Sequence, residues 1–165
     1  MGELHLIIGC MFSGKTTELL RTATRFKSIG KSITIINFAE DTRYSSTDVT
    51  THDKYSCIDI KSHYTHQLDA KQYEDYSVIC INEAQFFTGL KEFCISLMNK
   101  CKIVYVSGLD GDFQQNPFGE ILQLIPLCNT VTRLNALCKL CGNGKFAYFT
   151  KRLTDSKEQK LIGTE

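Results

Sequence analysis

The sequence lacks several features that would assign it to other classes of protein. Its 165 residues include only two prolines and no low-complexity run, which argues against intrinsic disorder. No apolar stretch approaches about 20 residues, so no membrane-spanning helix is expected. Basic and acidic side chains number 19 and 18, a net charge of +1, which gives no electrostatic footprint for nucleic acid or for an anionic membrane. The N-terminal residues do not resemble a secretory signal, and a cytoplasmic location is therefore expected.

The eight cysteines are interpreted as reduced thiols rather than as disulfide partners. Disulfide frameworks are typical of small secreted proteins, whereas most of these cysteines lie inside apolar segments. Cys80 lies in the apolar run 78–81, and Cys94 lies in a predicted helix. Cys138 and Cys141 differ from the rest because they have the C-x-x-C spacing of a metal-binding turn.

The distribution of apolar residues predicts an α/β fold. Short β-branched or apolar runs predict strands, and apolar stripes at helical spacing predict helices. The predicted strands cover residues 4–8, 32–36, 76–81 and 103–106, and the predicted helices cover 16–29, 90–97 and 119–127. Their alternation predicts a parallel sheet with helices on both faces. Residues 38–56 predict a long polar loop, and a small appendage is expected to begin near residue 135.

A phosphate-binding loop is predicted between the first strand and the first helix. The segment from Gly9 to Thr16 matches G-x-x-x-x-G-K-[ST] at every fixed position. Glycines let successive N–H groups point at phosphate oxygens, and the following helix presents its positive end to the same anion. Lys15 is expected to reach the β- and γ-phosphates of ATP, and the Thr16 hydroxyl to ligate Mg²⁺. The predicted phosphate-binding residues of this segment are Gly9, Met11, Phe12, Ser13, Gly14, Lys15, Thr16 and Thr17.

A second strand end carries the candidate acid–base chemistry. Phosphoryl-transfer proteins of this kind place a carboxylate at the end of a neighbouring strand, close to Mg²⁺ and the γ-phosphate. After the predicted strand 76–81, that position is Asn82, and Glu83 follows it. Because the amide of Asn82 is neutral, it is expected to bind the metal more weakly than a carboxylate would and to neutralise less charge in the transition state. Glu83 can act as a general base toward a hydroxyl nucleophile, and the alternative interpretation is an exposed surface carboxylate.

Five ordered motifs together are far more specific than a phosphate loop alone. They occupy residues 11–19 (MFSGKTTEL), 41–46 (DTRYSS), 51–53 (THD), 83–87 (EAQFF) and 109–114 (LDGDFQ). Residues 116–119 and 150–153 extend the match, which covers residues 3–163. The sequence therefore resembles the type II thymidine kinases, the cellular and poxvirus-like family.

The resemblance implies ATP-dependent phosphorylation of the 5′-hydroxyl of thymidine or deoxyuridine, a salvage step that supplies DNA precursors. It implies a P-loop NTPase-like core over residues 1–134, a small zinc-ribbon-like lobe over 135–165, and a homotetramer. Glu83 corresponds to the family's base, and Arg43 corresponds to an arginine near the reacting phosphate, where a permanently charged fork suits phosphoryl oxygens.

The resemblance also assigns an apolar nucleoside pocket. Its members are Met11, Phe86, Leu109, Phe113 and Phe118. Core packing is the alternative for Phe113 and Phe118, and it is the preferred interpretation for Phe87 and Phe93. Asn82 and Gln85 also belong to the predicted ATP-binding residues. Asp53 is expected to assist the geometry of Mg²⁺ or phosphate.

The C-terminal residues depart from the family pattern. In the family, a substrate-covering loop and a second pair of zinc ligands follow, whereas residues 161–163 match only the beginning of that loop and no Cys or His follows Cys141. The sequence thus predicts a zinc half-site at Cys138 and Cys141 and a weakened nucleoside site. Three explanations of this departure stay open: a truncated form, a variant with another lid, or a catalytically impaired relative. The competing functional hypotheses are a nucleotide-binding or assembly subunit without turnover, and a P-loop kinase or ATPase with another acceptor.

Overall fold

The computed structural model describes residues 1–39, 60–153, 155 and 157–160, which form the predicted α/β architecture. The helices are α1 at Lys15–Ser28 and α2 at Leu90–Asn99. The main sheet contains β1 Glu3–Gly9, β2 Ile33–Phe38, β3 Lys61–Thr65, β4 Val78–Ile81, β5 Ile103–Leu109 and β6 Thr130–Leu134. Short 3₁₀ helices lie at Ala70–Tyr73, Ala84–Phe86 and Ile121–Leu127, and β7 Ala136–Leu137 pairs antiparallel with β8 Phe146–Ala147. None of the described helices is long and apolar enough to cross a membrane.

The strands of the main sheet are all parallel and lie in the order β3-β2-β4-β5-β1-β6. The parallel sheet predicted from the sequence is confirmed. One detail is wrong, because β4, which precedes Asn82 and Glu83, does not lie beside β1: β5 pairs with both and separates them. Parallel pairing nevertheless brings the carboxyl ends of β1, β2 and β4 to one edge of the sheet, where ligands bind in folds of this kind.

Two apolar clusters cover the two faces of the sheet, as the sequence predicts. Alternate residues of β4 show the division, since Val78 and Cys80 pack toward α1 while Ile79 and Ile81 pack toward α2. Because the central strands are buried on both faces, their sequences are continuous apolar runs. The clusters anchor α1 and α2 on opposite faces, so the loops that lead into them diverge at the carboxyl edge.

The sequence does not predict β3 and β6, which are the two edge strands of the sheet. β3 is largely polar, and four of the five residues of β6 are exposed. An edge strand buries less side-chain surface, so its sequence lacks the apolar signal of a central strand. Likewise, the helix predicted at 119–127 is a 3₁₀ helix, and it contains Pro126, which is incompatible with the interior of an α-helix. Most of the predicted loop 38–56 lies outside the described residues.

Candidate active site

The phosphate loop begins and ends with glycines that the backbone requires. Gly9 has φ 152°, and a Cβ there would lie 2.2 Å from the carbonyl oxygen of Leu134 in the neighbouring strand β6. Gly14 has φ 81° and caps α1 in a left-handed conformation. L-residues with a side chain rarely adopt such conformations. The two glycines therefore allow the chain to turn sharply from β1 into α1.

Lys15 is folded back into the loop that it is predicted to serve. Its Nζ donates to the Cys10 carbonyl oxygen at 2.7 Å, and the Ser13 hydroxyl donates to the same oxygen at 2.8 Å. The Lys15 residue is only 8% exposed. The N-cap residue of α1 is Gly14, which has no side chain with which to cap the helix, and the positive end of the helix dipole at this point favours an anion.

A side-chain contact joins the phosphate loop to the end of β4. The Thr16 hydroxyl donates to Asn82 Oδ1 at 3.4 Å, and Asn82 is 2% exposed. The hydroxyl and the amide oxygen are hard, neutral oxygen atoms, and Mg²⁺ binds such ligands while keeping several of its waters. The pair therefore fits the predicted magnesium position, without the charge that a carboxylate at residue 82 would supply.

Glu83 is presented on a strained turn directly after Asn82. Its φ of 51° and ψ of 42° are left-handed, a conformation that costs a non-glycine residue of order 1–3 kcal/mol and is enriched at functional sites. The Gln85 amide nitrogen donates to Glu83 Oε2 at 2.6 Å, and the Leu109 N–H donates to Gln85 Oε1 at 3.0 Å. Gln85 is 3% exposed. Gln85, which the sequence analysis places among the ATP-binding residues, thus connects Glu83 to the end of β5.

Aromatic rings form a cluster on the same edge of the sheet. Phe86 and Phe118 pack edge to face with centroids 5.6 Å apart, and Phe38 lies 5.4 Å from Phe86 and 5.3 Å from Phe87. Phe87 and Phe93 are buried in the core cluster, as predicted. The structure therefore joins two of the predicted nucleoside-pocket residues and adds Phe38, which the sequence analysis did not identify.

The other three predicted pocket residues have separate contacts. The Arg152 guanidinium lies 4.0 Å from the centroid of the Phe113 ring, and the Met11 N–H donates to Thr150 Oγ1 at 3.0 Å. Leu109 is buried at the end of β5. The structure thus places Phe113 and Met11 against residues 150–152, which follow β8.

A cavity of about 110 Å³ lies between the β5 end and residues 148–150. Its lining includes Asp110 and Asp112, which are chain neighbours of the predicted pocket residues Leu109 and Phe113, and no predicted pocket residue is part of it. Arg133 and Tyr148 complete its wall. Arg133 is held by Asp110, with Nε 2.8 Å from Oδ2. The cavity therefore has an ion pair in its wall and an aromatic ring beside it.

The last described residues lie over the aromatic cluster. Burial on its own would raise the pKa of Asp112, but hydrogen bonds from Gln159 and from the Asn116 and Gln114 N–H groups lower it overall. Lys160 Nζ lies 4.4 Å from the Phe38 ring centroid. Residues 157–160 are therefore attached at both the Asp112 turn and the aromatic cluster.

Comparison with known proteins identifies the family. A family model described as thymidine kinase matches residues 2–165. The chain belongs to the thymidine kinase family. It is 43% identical over 163 residues to the thymidine kinase of vaccinia virus (strain Western Reserve), covering 98% of this chain and 89% of that protein. It is 41% identical to the human cytosolic thymidine kinase and 42% identical to a rice thymidine kinase, over 98% of this chain.

The lengths covered differ among these curated relatives. The chain spans 68% of the human thymidine kinase and 61% of the rice protein. Among solved structures, the flagellar accessory protein FlaH of Methanocaldococcus jannaschii matches with a TM-score of 0.58 and 15% identity, covering 90% of this chain and 79% of that one. That likeness shows the α/β fold alone.

The predicted zinc half-site of this thymidine kinase family member forms a tight turn. The Gly142 N–H donates to the Cys138 carbonyl oxygen at 3.1 Å. The pKa of Cys138 is lowered mainly by a hydrogen bond from the Cys141 N–H and next by one from the Cys141 thiol. Because the Cys141 thiol donates its hydrogen in that bond, the pKa of Cys141 is raised. Within the described ranges, no group of three or more Cys, His, Asp or Glu side chains is arranged to hold a metal ion. The described residues therefore offer two thiols and do not complete a four-ligand zinc site.

The turn that carries these cysteines also contacts the phosphate loop. Lys139 Nζ lies 3.9 Å from the centroid of the Phe12 ring, and the Cys10 thiol donates to the Ala147 carbonyl oxygen at 3.3 Å. Phe12 is itself left-handed, with φ 61°. Together with the Met11–Thr150 bond, these contacts attach residues 136–150 to the loop.

Some predicted site residues lie outside the described residues, namely Arg43, Asp53 and the loop that begins at 161–163. In contrast, the structure adds Asn37 and Phe38, which end β2 at the site. The available signal was Asn37, a polar residue inside a run that is otherwise apolar and β-branched. A polar side chain at the carboxyl end of a buried parallel strand indicates a functional edge.

Proposed function

We propose that this chain is a thymidine kinase that transfers the γ-phosphoryl group of ATP to the 5′-hydroxyl of thymidine or deoxyuridine. The observation that carries the proposal is the meeting of the phosphate loop with the β4 end through Thr16 and Asn82 at 3.4 Å. This contact supports the proposal that Glu83, the next residue, lies beside the transferred phosphate. Family membership supports ATP as the donor and a nucleoside as the acceptor.

Binding of the donor uses the loop and the helix that follows it. Lys15 exchanges the Cys10 carbonyl oxygen for the β- and γ-phosphates, and the first-turn N–H groups of α1 bind the same anion. Thr16 and Asn82 would hold Mg²⁺, which when bound neutralises charge on the phosphates. These groups orient the γ-phosphate toward the end of β4.

The chemical step is an in-line displacement at the γ-phosphorus. The acceptor 5′-oxygen forms a bond to phosphorus, the bond to the β–γ bridging oxygen breaks, and ADP leaves with that electron pair. Glu83 accepts the proton of the 5′-hydroxyl. Gln85 holds the Glu83 carboxylate in position, and Arg43 is proposed to stabilise charge on the phosphoryl oxygens.

The acceptor base is proposed to bind among the aromatic rings. Phe86 and Phe118, whose rings pack edge to face, supply apolar ring surface near Glu83, and a pyrimidine can stack on one ring face. Leu109 and Phe113 are proposed to complete the nucleoside site from the side of residues 150–152. A pyrimidine nucleoside whose base lies there directs its 5′-hydroxyl toward Glu83.

An acceptor screen with γ-labelled ATP tests this function. Thymidine and deoxyuridine should receive label, and purine nucleosides should receive little. Glu83→Gln should lower the transfer rate at least about 100-fold, since a general base contributes roughly 10²–10⁴-fold, while leaving ATP binding intact. Glu92→Gln, the same change at an exposed position of α2, is the control. Label that reaches only water would refute the kinase.

A second candidate, a nucleotide-binding or assembly subunit without turnover, is favoured by the neutral side chain at Asn82. Such a subunit would bind Mg·ATP through Lys15 and transfer nothing to any acceptor. It would also exchange into assemblies of an active relative. Equilibrium binding of ATP combined with the absence of acceptor-dependent ADP release would select this alternative.

The resemblance adds three properties to the proposal. A zinc ion would bind the Cys138 and Cys141 thiolates with further ligands that the described residues do not supply. The chain would assemble as a homotetramer, measurable by light scattering. A cytoplasmic location is supported by the human relative, which is a cytosolic thymidine kinase.

A further inference from the structure

We propose that Asn37 is a positioning residue that selects which end of the Asn82 amide faces Thr16 and the metal. The inference rests on the proposed function, because it concerns the metal position of the same site. Asn37 lies on β2 in the structure, and neither the family motifs nor the sequence analysis includes it.

The geometry places the two amides against each other. β2 pairs with β4, and the Asn82 N–H donates to the Ile36 carbonyl oxygen at 2.8 Å, which sets Asn82 beside the end of β2. Asn82 Nδ2 then donates to Asn37 Oδ1 at 3.1 Å, and both residues are 2% exposed. Away from bulk water, each end of the Asn82 amide is specified by its protein neighbours.

Because the NH₂ group of Asn82 donates to Asn37, the amide oxygen of Asn82 faces Thr16. An amide rotated by half a turn would present its NH₂ group to Thr16 and to a cation, and an NH₂ group cannot ligate Mg²⁺ or accept from its waters. Because Asn37 accepts through its own oxygen, it binds the Asn82 NH₂ group and disfavours that rotated state. Asn37 therefore supplies the orientation that a carboxylate at residue 82, with two equivalent oxygens, would not need.

An unsatisfied group supports this interpretation. Asn37 Nδ2 is buried and has no hydrogen-bond partner among the described residues. A buried unpaired NH₂ group is costly and is expected to have a reason. If packing alone mattered, both amides could rotate together, so that Asn37 Nδ2 would donate to Asn82 Oδ1. The retained orientation keeps the Asn82 oxygen directed at Thr16.

The experiment measures metal binding without an acceptor. Mn²⁺ is titrated into the full chain with saturating ADP, and bound Mn²⁺ is followed by electron paramagnetic resonance. Asn37→Leu should weaken Mn²⁺ binding about five- to tenfold, as expected for loss of one orienting hydrogen bond. Asn37→Asp, which can only accept and so keeps the orientation, should bind Mn²⁺ at least as tightly as the wild type.

The decisive comparison is a double-mutant cycle with Asn82→Asp. In that background both oxygens at residue 82 are equivalent, so adding Asn37→Leu should change Mn²⁺ affinity less than about twofold. An equal loss in both backgrounds would show that Asn37 acts only through packing and would overturn the proposal. Asn129→Leu, which removes an amide that accepts the Leu4 N–H at the opposite end of β1, is the matched control.

The other outcomes of this experiment also support or overturn the proposed role of Asn37. If Asn37→Leu does not fold, loss of Mn²⁺ binding by a folded Asn37→Asp variant would overturn the proposal, and retention would support it. Wild-type chain that binds Mn·ADP with the predicted coupling but transfers nothing to thymidine would refute the kinase and leave the role of Asn37 standing. Absence of Mn·ADP binding by the wild type would overturn both.

Discussion

Replacing Gln85 with leucine should separate the positioning of Glu83 from the binding of ATP. The buried Gln85 side chain accepts the Leu109 N–H at 3.0 Å and donates to Glu83 at 2.6 Å. Leucine has a similar volume, so the change removes both bonds without opening a large cavity. The Leu109 N–H is then buried without a partner, which costs about 1–3 kcal/mol.

The bond to the Glu83 carboxylate adds to this loss. Hydrogen bonds to charged groups contribute about 1.5–3 kcal/mol, and the half-buried position of Glu83 favours the lower end. We therefore expect the free energy of unfolding to fall by about 2.5–4.5 kcal/mol. We expect kcat to fall about 10- to 100-fold as Glu83 loses its fixed orientation, a part of the roughly 10²–10⁴-fold that a general base supplies. The KM for ATP should not change, because Lys15 and Thr16 do not depend on Gln85.

The assay combines urea unfolding with steady-state kinetics for ATP and thymidine. Gln72→Leu makes the same chemical change at an exposed position and should alter neither quantity. A folded Gln85→Leu variant with unchanged kcat would show that Gln85 does not position the base. A parallel rise in the KM for ATP would show that the loop, rather than Glu83, has been disturbed.

Three further predictions concern the loop and the lobe. Lys15→Ala should abolish ATP binding measured by calorimetry, and unchanged affinity would remove the phosphate loop from the mechanism. Gly9→Ala should lower the melting temperature sharply and abolish turnover, because its Cβ would lie 2.2 Å from the Leu134 carbonyl oxygen. Any zinc measured by mass spectrometry in purified chain should disappear when Cys138 and Cys141 are both replaced by serine; zinc that persists would place the metal elsewhere.

The parts of the site that follow from local pattern could be predicted from the sequence. The turn from β1 into α1 depends on consecutive residues, so Gly9, Lys15 and Thr16 are recognisable from their spacing alone. The central strands are equally recognisable, because burial on both faces leaves apolar runs. Glu83 belongs to the same group, since it directly follows such a run.

The parts that depend on tertiary pairing could not be predicted. Asn37 and Asn82 are 45 residues apart, and only the pairing of β2 with β4 brings their amides together. The position of β5 between β4 and β1 is a property of chain topology that no motif records. β3 and β6 were missed because edge strands are exposed and carry little apolar signal.

Phosphorus NMR of the purified chain with Mg·ATP and thymidine follows the proposed phosphoryl transfer itself. We expect ATP to be converted to ADP while thymidine 5′-monophosphate appears in equal amount, and we expect Glu83→Gln to suppress both signals while still binding ATP. Formation of ADP with inorganic phosphate alone, or nucleotide binding without any conversion, would contradict the proposed kinase activity.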